Sequence, residues 1–244
     1  MTEWVGFVGN GPNTLASDVP ISLGVEFFVD QPNLYFKGFR FYRGDVGILG
    51  LPDARCYKID GPGVGSAVAG TDAKFEALAG IGWQRKDLAL PVGLTQNQHY
   101  KGTIFFPTNY TATSGYFVSP GAGFGGIING PLHIVDSANS QDGQDSFTTG
   151  GALIYPTSTF GGGNFWVDVI ITDTPGGGGV VGSVADIARQ RMLTQLSLVE
   201  PQKISNVDLM VLTLAFGGQT VITKTDATPA VHYWRLCKLI ANGG

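Results

Sequence analysis

A chain of 244 residues that is 43% apolar and 14% charged, with 37 Gly and 13 Pro, has the composition of a turn-rich globular protein and not of a disordered one. Its 15 Lys and Arg against 19 Asp and Glu give a net charge of −4 with no basic run, which removes the electrostatic footprint of a nucleic-acid binder. No apolar stretch reaches the ~18 residues of a membrane span, and the start MTEWVGFVGNG lacks the basic and apolar regions of a secretory signal, so folding in a cytosol is expected.

Residues 1–20 read as an arm broken by Gly, Pro and Asn, with Trp4 and Phe7 as its large anchors. Strand-like runs begin at 21. Residues 22–29 (SLGVEFFV) and 34–42 (LYFKGFRFY) flank Asp30-Gln31-Pro32-Asn33, which predicts a hairpin. Further strands are expected at 54–59, 73–78, 88–94, 99–106, 116–118 and 132–135, separated by Gly, Pro and Asn clusters at the spacing of a sandwich or barrel. No amphipathic helix is visible before residue 183. The strongest strand signal is 164–172 (NFWVDVIIT). By the two-residue period Phe165, Val167, Val169 and Ile171 share an apolar face, while Trp166, Asp168, Ile170 and Thr172 share a face expected to be only partly covered. This run closes a β domain over 21–174, and the Gly-rich linker 175–183 follows.

Beyond the linker the pattern turns helical. Ser183-Val-Ala-Asp186 and Ser205-Asn-Val-Asp208 are capping-box-like starts, Gly217-Gly218 is a stop, and Thr228-Pro229 opens a third helix over 232–241. Residues 184–244 therefore form a small helical domain. The run 209–216 is apolar nearly all round, so cover from other chains is expected, with Ile187, Leu196, Leu209, Met210, Leu212 and Phe216 as assembly residues. Cys56 and Cys237 lie on opposite sides of the linker, which argues against a disulfide framework.

The runs GVEFFVDQPNLYFKGFRFYRG (24–44), GWQRKDLALPVGLTQNQHYKGTIFFP (82–107), SGYF (114–117), GPLHIVD (130–136) and IYPTSTFGGGNFWVDVIIT (154–172) resemble, in the same order, an uncharacterised β-sandwich module. That module occurs in large bacterial surface and carbohydrate-active proteins and in tail proteins of phages infecting actinobacteria. The resemblance covers residues 20–173 and departs from the module's pattern at ARCYKIDGPGVGSAVAG (54–70). The run ADIARQRMLTQLSLVEPQKISNVDLMVLTLAF is similar to the end of actinobacteriophage minor tail proteins. The expected fold is mainly β, an antiparallel β-sandwich of jelly-roll type followed by the small helical domain.

Several motifs have ordinary readings. Residues 121–126 (GAGFGG) spell a dinucleotide-binding motif but precede strand-like residues and no helix, so they read as a loop. Arg43-Gly44-Asp45 is too short a match to carry weight. Asp136, Asn139, Asp142 and Asp145 cluster oxygen ligands on one loop. Ca²⁺ takes about six to eight oxygens, yet the spacing is not that of an EF-hand and such residues are common turn chemistry. His99, His133 and His232 are far apart in sequence with no zinc spacing. No nucleophile elbow is present, so no enzyme and, apart from that Ca²⁺ candidate, no cofactor is expected.

Aromatic rings near loops offer a different chemistry. Tyr110, Tyr155, Phe160 and Trp166 can stack on the C–H faces of sugars while neighbouring polar groups bond hydroxyls, although aromatic side chains of sandwiches usually lie in the core. Phe165 and Tyr42 are assigned to the core. The expected role is a virion structural protein, a minor tail component of tail tip or baseplate, made in the host cytoplasm. Its partners are other tail proteins, further copies of itself and a host cell-envelope glycan. A capsid decoration protein, a free-standing carbohydrate-binding module and, most weakly, a polysaccharide-cleaving enzyme share parts of this evidence.

Overall fold

Strand propensity decides the architecture: aromatic and β-branched residues crowd the long runs, and Gly, Pro and Asx break them. The computed structural model describes residues 2–17 and 20–175, and every regular element within them is a β-strand. In chain order these are β1 (Glu3–Val5), β2 (Ile21–Val29), β3 (Tyr35–Arg43), β4 (Asp53–Gly61), β5 (Val64–Ala67), β6 (Ala73–Lys74), β7 (Gly82–Gly93), β8 (Tyr100–Phe106), β9 (Ile127–Asn129), β10 (Leu132–Ile134), β11 (Ser146–Thr149), β12 (Ser158–Thr159) and β13 (Val167–Thr172). All pairings are antiparallel. A four-stranded sheet has the order β1-β13-β3-β7. A nine-stranded sheet runs β12-β11-β2-β8-β4-β5, with β10 on β2, β9 on β10 and β6 on β4.

The two sheets share one core. Phe27 of β2 stacks on Phe36 of β3 at 5.9 Å, and Phe41 of β3 meets Phe106 of β8 edge-on at 5.1 Å. Gly102 of β8 is needed for close approach, because a Cβ there would lie 2.5 Å from Cγ1 of Val169 on β13. Gly102→Ala is therefore expected to cost about 1–3 kcal/mol by overpacking, measured by urea unfolding.

The turn at 30–33 does not close a hairpin. β2 and β3 lie in different sheets, and the turn, with Asn33 at φ 60°, carries the chain across the core. Both runs are apolar enough to face each other over that core, and each finds its ladder partners at long range: β8, β10 and β11 for β2, and β7 and β13 for β3. The expected strand at 116–118 is a turn, the one at 73–78 shrinks to Ala73–Lys74, and the one at 88–94 is the end of the longer β7. The segment 54–70 forms the β4–β5 hairpin.

β13 also departs from expectation. The strand begins at Val167, because Trp166 sits at φ 53°, and all six of its residues are buried. The face expected to be partly covered is closed by the N-terminal arm. β1 pairs with β13, and the chain then turns so that Gly6 and Phe7 donate N–H bonds to the Asp168 carboxylate at 2.8 and 3.1 Å. Phe7 is buried against Trp83, Tyr116, Phe117 and Trp166. Among the described residues, no helix is long and apolar enough to cross a membrane. The linker from 176 on, the expected helices, Cys237 and the assembly residues Ile187, Leu196, Leu209, Met210, Leu212 and Phe216 lie outside the described residues.

Candidate functional site

A cleft of about 280 Å³ opens beside β11, walled by Tyr110, Phe147, Phe160 and Phe165, with Thr113, Ser114 and Gly163 among its polar and backbone groups. Three connections bring these residues together. Ala16 and Tyr110 bond each other's backbone, as do Thr113 and Asn164, which ties the arm and the segment after β8 to the approach to β13. Tyr110 packs edge-on against Phe165 at 5.7 Å and is itself buried. Phe160 is 65% exposed, so one apolar ring of the cleft faces solvent.

The turn that presents Phe160 is built on two glycines, Gly161 and Gly162, both at positive φ. It is fastened from below by Asp145, whose Oδ2 accepts the N–H groups of Phe160 at 3.1 Å and Gly163 at 2.8 Å. Burial pushes the Asp145 carboxyl up to about 6, against the opposing pull of the turn's N–H groups and Lys101.

On the nine-stranded sheet lies a second polar assembly. Lys101 of β8 is fully buried, and its ammonium donates to Asp142 Oδ2 at 2.8 Å, to the Asp142 carbonyl at 3.0 Å and to the Pro156 carbonyl at 3.3 Å. Asp142 also accepts from the Tyr155 hydroxyl and the Gly63 N–H. Glu26 of β2, likewise fully buried, accepts from the Ser140 hydroxyl at 2.5 Å and from the N–H groups of Gln141 and Asp142. Burial holds the Lys101 ammonium below the usual lysine range, and burial together with the Asp142 carboxylate pushes the Tyr155 phenol up.

Of the proposed cation ligands, Asp136 and Asn139 bond each other, while Asp142 and Asp145 are engaged elsewhere. Asp136 accepts from Gly125 N–H and from the Asn139 backbone and amide; burial raises it, but these bonds outweigh burial and leave it below the usual carboxylate range. Asp142 takes Lys101, and Asp145 takes the 160–163 turn. The cation at Asp142 is the chain's own ammonium. No group of three His, Cys, Asp or Glu among the described residues is arranged to hold a metal.

The four aromatic candidates separate in the same way. Tyr110 and Phe160 meet in the cleft, Tyr110 as a buried wall and Phe160 as its exposed ring. Trp166 is 8% exposed and belongs to the core; its ring lies between Phe7, Tyr42, Trp83 and Tyr116, and its indole N–H bonds Thr113 Oγ1 at 2.9 Å. Tyr155 packs on Tyr57 and covers Lys101. Burial thus removes Trp166 from any ligand surface, and the hydroxyl of Tyr155 is committed to Asp142.

Sequence spacing does not reveal two cleft residues, Phe147 and Phe165, nor a histidine pair. His99 and His133 stack on the two sides of Phe28 at 4.9 and 4.5 Å, and each is bonded to a carboxylate: His99 Nδ1 to Glu26 at 2.6 Å and His133 Nε2 to Asp30 at 2.9 Å. Only the alternation Glu26, Phe28, Asp30, running from β2 into the turn after it, hints at it. Arg43 of the RGD tripeptide is buried, donating to the Ile48, Val46 and Ala79 carbonyls, and the GAGFGG segment is a turn with no helix.

A family model described as a domain of unknown function (DUF4082) matches residues 10–167, and every residue lining the cleft falls within that span. No curated protein and no solved structure matches the chain. The match takes in more than half of the sequence and all of the two-sheet unit except β1 and most of β13, so the chain belongs to the DUF4082 family.

Proposed function

We propose that the chain is a minor tail component of a phage virion whose β-sandwich, of jelly-roll type, binds a host-envelope glycan without cleaving it. The observation that carries the binding part is the aromatic cleft with Phe160 open to solvent. At about 280 Å³ it lies just below the usual range of small-molecule sites, roughly 300–1,000 Å³, which suits a small ligand unit. Its exposed ring, Phe160, is available to sugar C–H groups, and Thr113 and Ser114 line the same cleft as hydroxyl partners. The tail assignment draws on the sequence resemblances over 20–173 and after 184, and on the over-apolar run 209–216, which calls for cover by other chains.

Two measurements test the two parts. Calorimetry of the full chain with purified actinobacterial cell-wall polysaccharide should show binding, and Phe160→Ala should weaken it by roughly tenfold, the loss of one stacking ring. Because Phe160 is exposed, its removal should leave the urea midpoint unchanged. Absence of binding, or binding that ignores Phe160→Ala, would remove the cleft from the reading. Reconstruction of intact particles should place the chain in the tail; density on the capsid shell would make it a decoration protein instead.

A further inference from the structure

We propose that Asp145 is the positioning residue of the cleft: its carboxylate holds the 160–163 turn, and with it Phe160, against the cleft wall. Three observations carry this. Asp145 is 2% exposed and occupies the left-handed region at φ 61°, so its side chain is fixed beneath the turn. A single oxygen, Oδ2, accepts both the first and the last N–H of the turn, at Phe160 and Gly163, and both residues line the cleft. The next residue, Ser146, pairs with Thr159 and Phe147 with Ser158, so Asp145 joins the strand that carries Phe147 to the turn that carries Phe160. Its influence on ligand rests on the reading of the cleft as a binding site; its hold on the turn does not.

The linkage has a definite sign. The N–H groups of Phe160, Gly162 and Gly163 and the Lys101 ammonium of β8 pull the carboxyl down; burial outweighs them. A carboxyl that ionises near pH 6 in the closed turn, but near 3.8 once hydrated, favours the closed turn when protonated. Closure therefore weakens as pH rises from about 4 through 6. Acid tightens the rim of the cleft, and neutral pH loosens it.

Amide hydrogen exchange of the full chain reads this without any ligand. After correction for intrinsic rates, protection at Phe160 and Gly163 should fall up to about tenfold between pH 5 and pH 7. Asp145→Asn keeps an acceptor oxygen and tolerates the left-handed backbone, so protection should stay at the acid level across that range. Asp145→Ala should lose protection at both pH values. Protection in the unaltered chain that does not vary with pH, or that survives Asp145→Ala, would overturn the proposal. A parallel titration with methyl β-D-glucopyranoside, followed by amide shifts of cleft residues, separates the two readings. Tighter binding at pH 5 than at pH 7 is expected. If the pyranoside binds at neither pH while the turn amides respond as stated, the glycan reading fails and the positioning role stands.

Discussion

Replacing Asp168 by alanine is expected to remove about 3–5 kcal/mol of unfolding free energy, the cost of breaking a buried ion pair from one side. Asp168, the second residue of β13, is completely buried. Its carboxylate accepts from the N–H groups of Gly6, Phe7 and Val169 and from Arg40 Nε at 2.7 Å, with Arg40 Nη2 also 2.7 Å away. Arg40 completes the connection by donating to the Phe7 carbonyl and lying over the Trp83 ring at 3.9 Å. Removing the carboxylate strands a guanidinium whose side chain is only 14% exposed and leaves the Gly6 and Phe7 donors without an acceptor. The arm should then detach from β13, and fluorescence should change, because Trp83 and Trp166 both pack on Phe7. Urea unfolding followed by tryptophan emission measures both effects. A loss below about 1 kcal/mol would show the pair to behave as a surface one.

That network also shows where the sequence stops being informative. The alternation in NFWVDVIIT correctly places Val167, Val169 and Ile171 on the shared core, because burial of one face is a local, period-two property. Nothing local says what covers the other face. The cover comes from residues 6 and 7, more than 160 positions away, and from Arg40 on the neighbouring strand, so Asp168 looks like a surface group until the sheet is assembled. The turn at 30–33 misleads for a related reason. Asp-Gln-Pro-Asn is good turn chemistry, but a turn fixes only a reversal, and whether the reversed strand joins the same sheet or the opposite one is decided by the cross-core pair Phe27 and Phe36.

The cleft is legible in the same partial way. Phe160 stands next to three glycines, and such a turn exposes its side chain, which is why it reads correctly as a surface ring. Trp166 looks equivalent by its letter but follows Asn164 and Phe165 into the core at a positive φ, a backbone state that β-branched and aromatic patterning does not report. The carboxylates of 136–145 suggest a cation because they are spaced like ligands. The cation they meet at Asp142 is Lys101, which falls within a strand pattern and carries no sequence mark of burial.

Lys101→Met is therefore expected to be as damaging as the loss of Asp168, about 3–5 kcal/mol, since it leaves the Asp142 carboxylate buried without its cation. The side chains of the pair are 0% and 4% exposed, and the same ammonium ties the carbonyls of Asp142 and Pro156, so two segments lying over the nine-stranded sheet lose their common anchor. The double variant Lys101→Met with Asp142→Asn should be less destabilised than Lys101→Met alone. Asparagine is uncharged; its one oxygen can still accept from the Gly63 N–H, and the Tyr155 hydroxyl can rotate to accept from its NH2. The pH dependence should differ between the two. An unpaired buried carboxylate has its folded pKa raised above the unfolded value, so the stability it allows is fully present at acid pH and is lost as pH rises through the folded pKa. Lys101→Met should thus be most stable in acid and weaken toward neutrality relative to the double variant, a comparison made by urea midpoints at several pH values. Equal midpoints for the single and double variants at neutral pH would show that water reaches Asp142 once the lysine is gone, and that the loop it anchors opens at little cost.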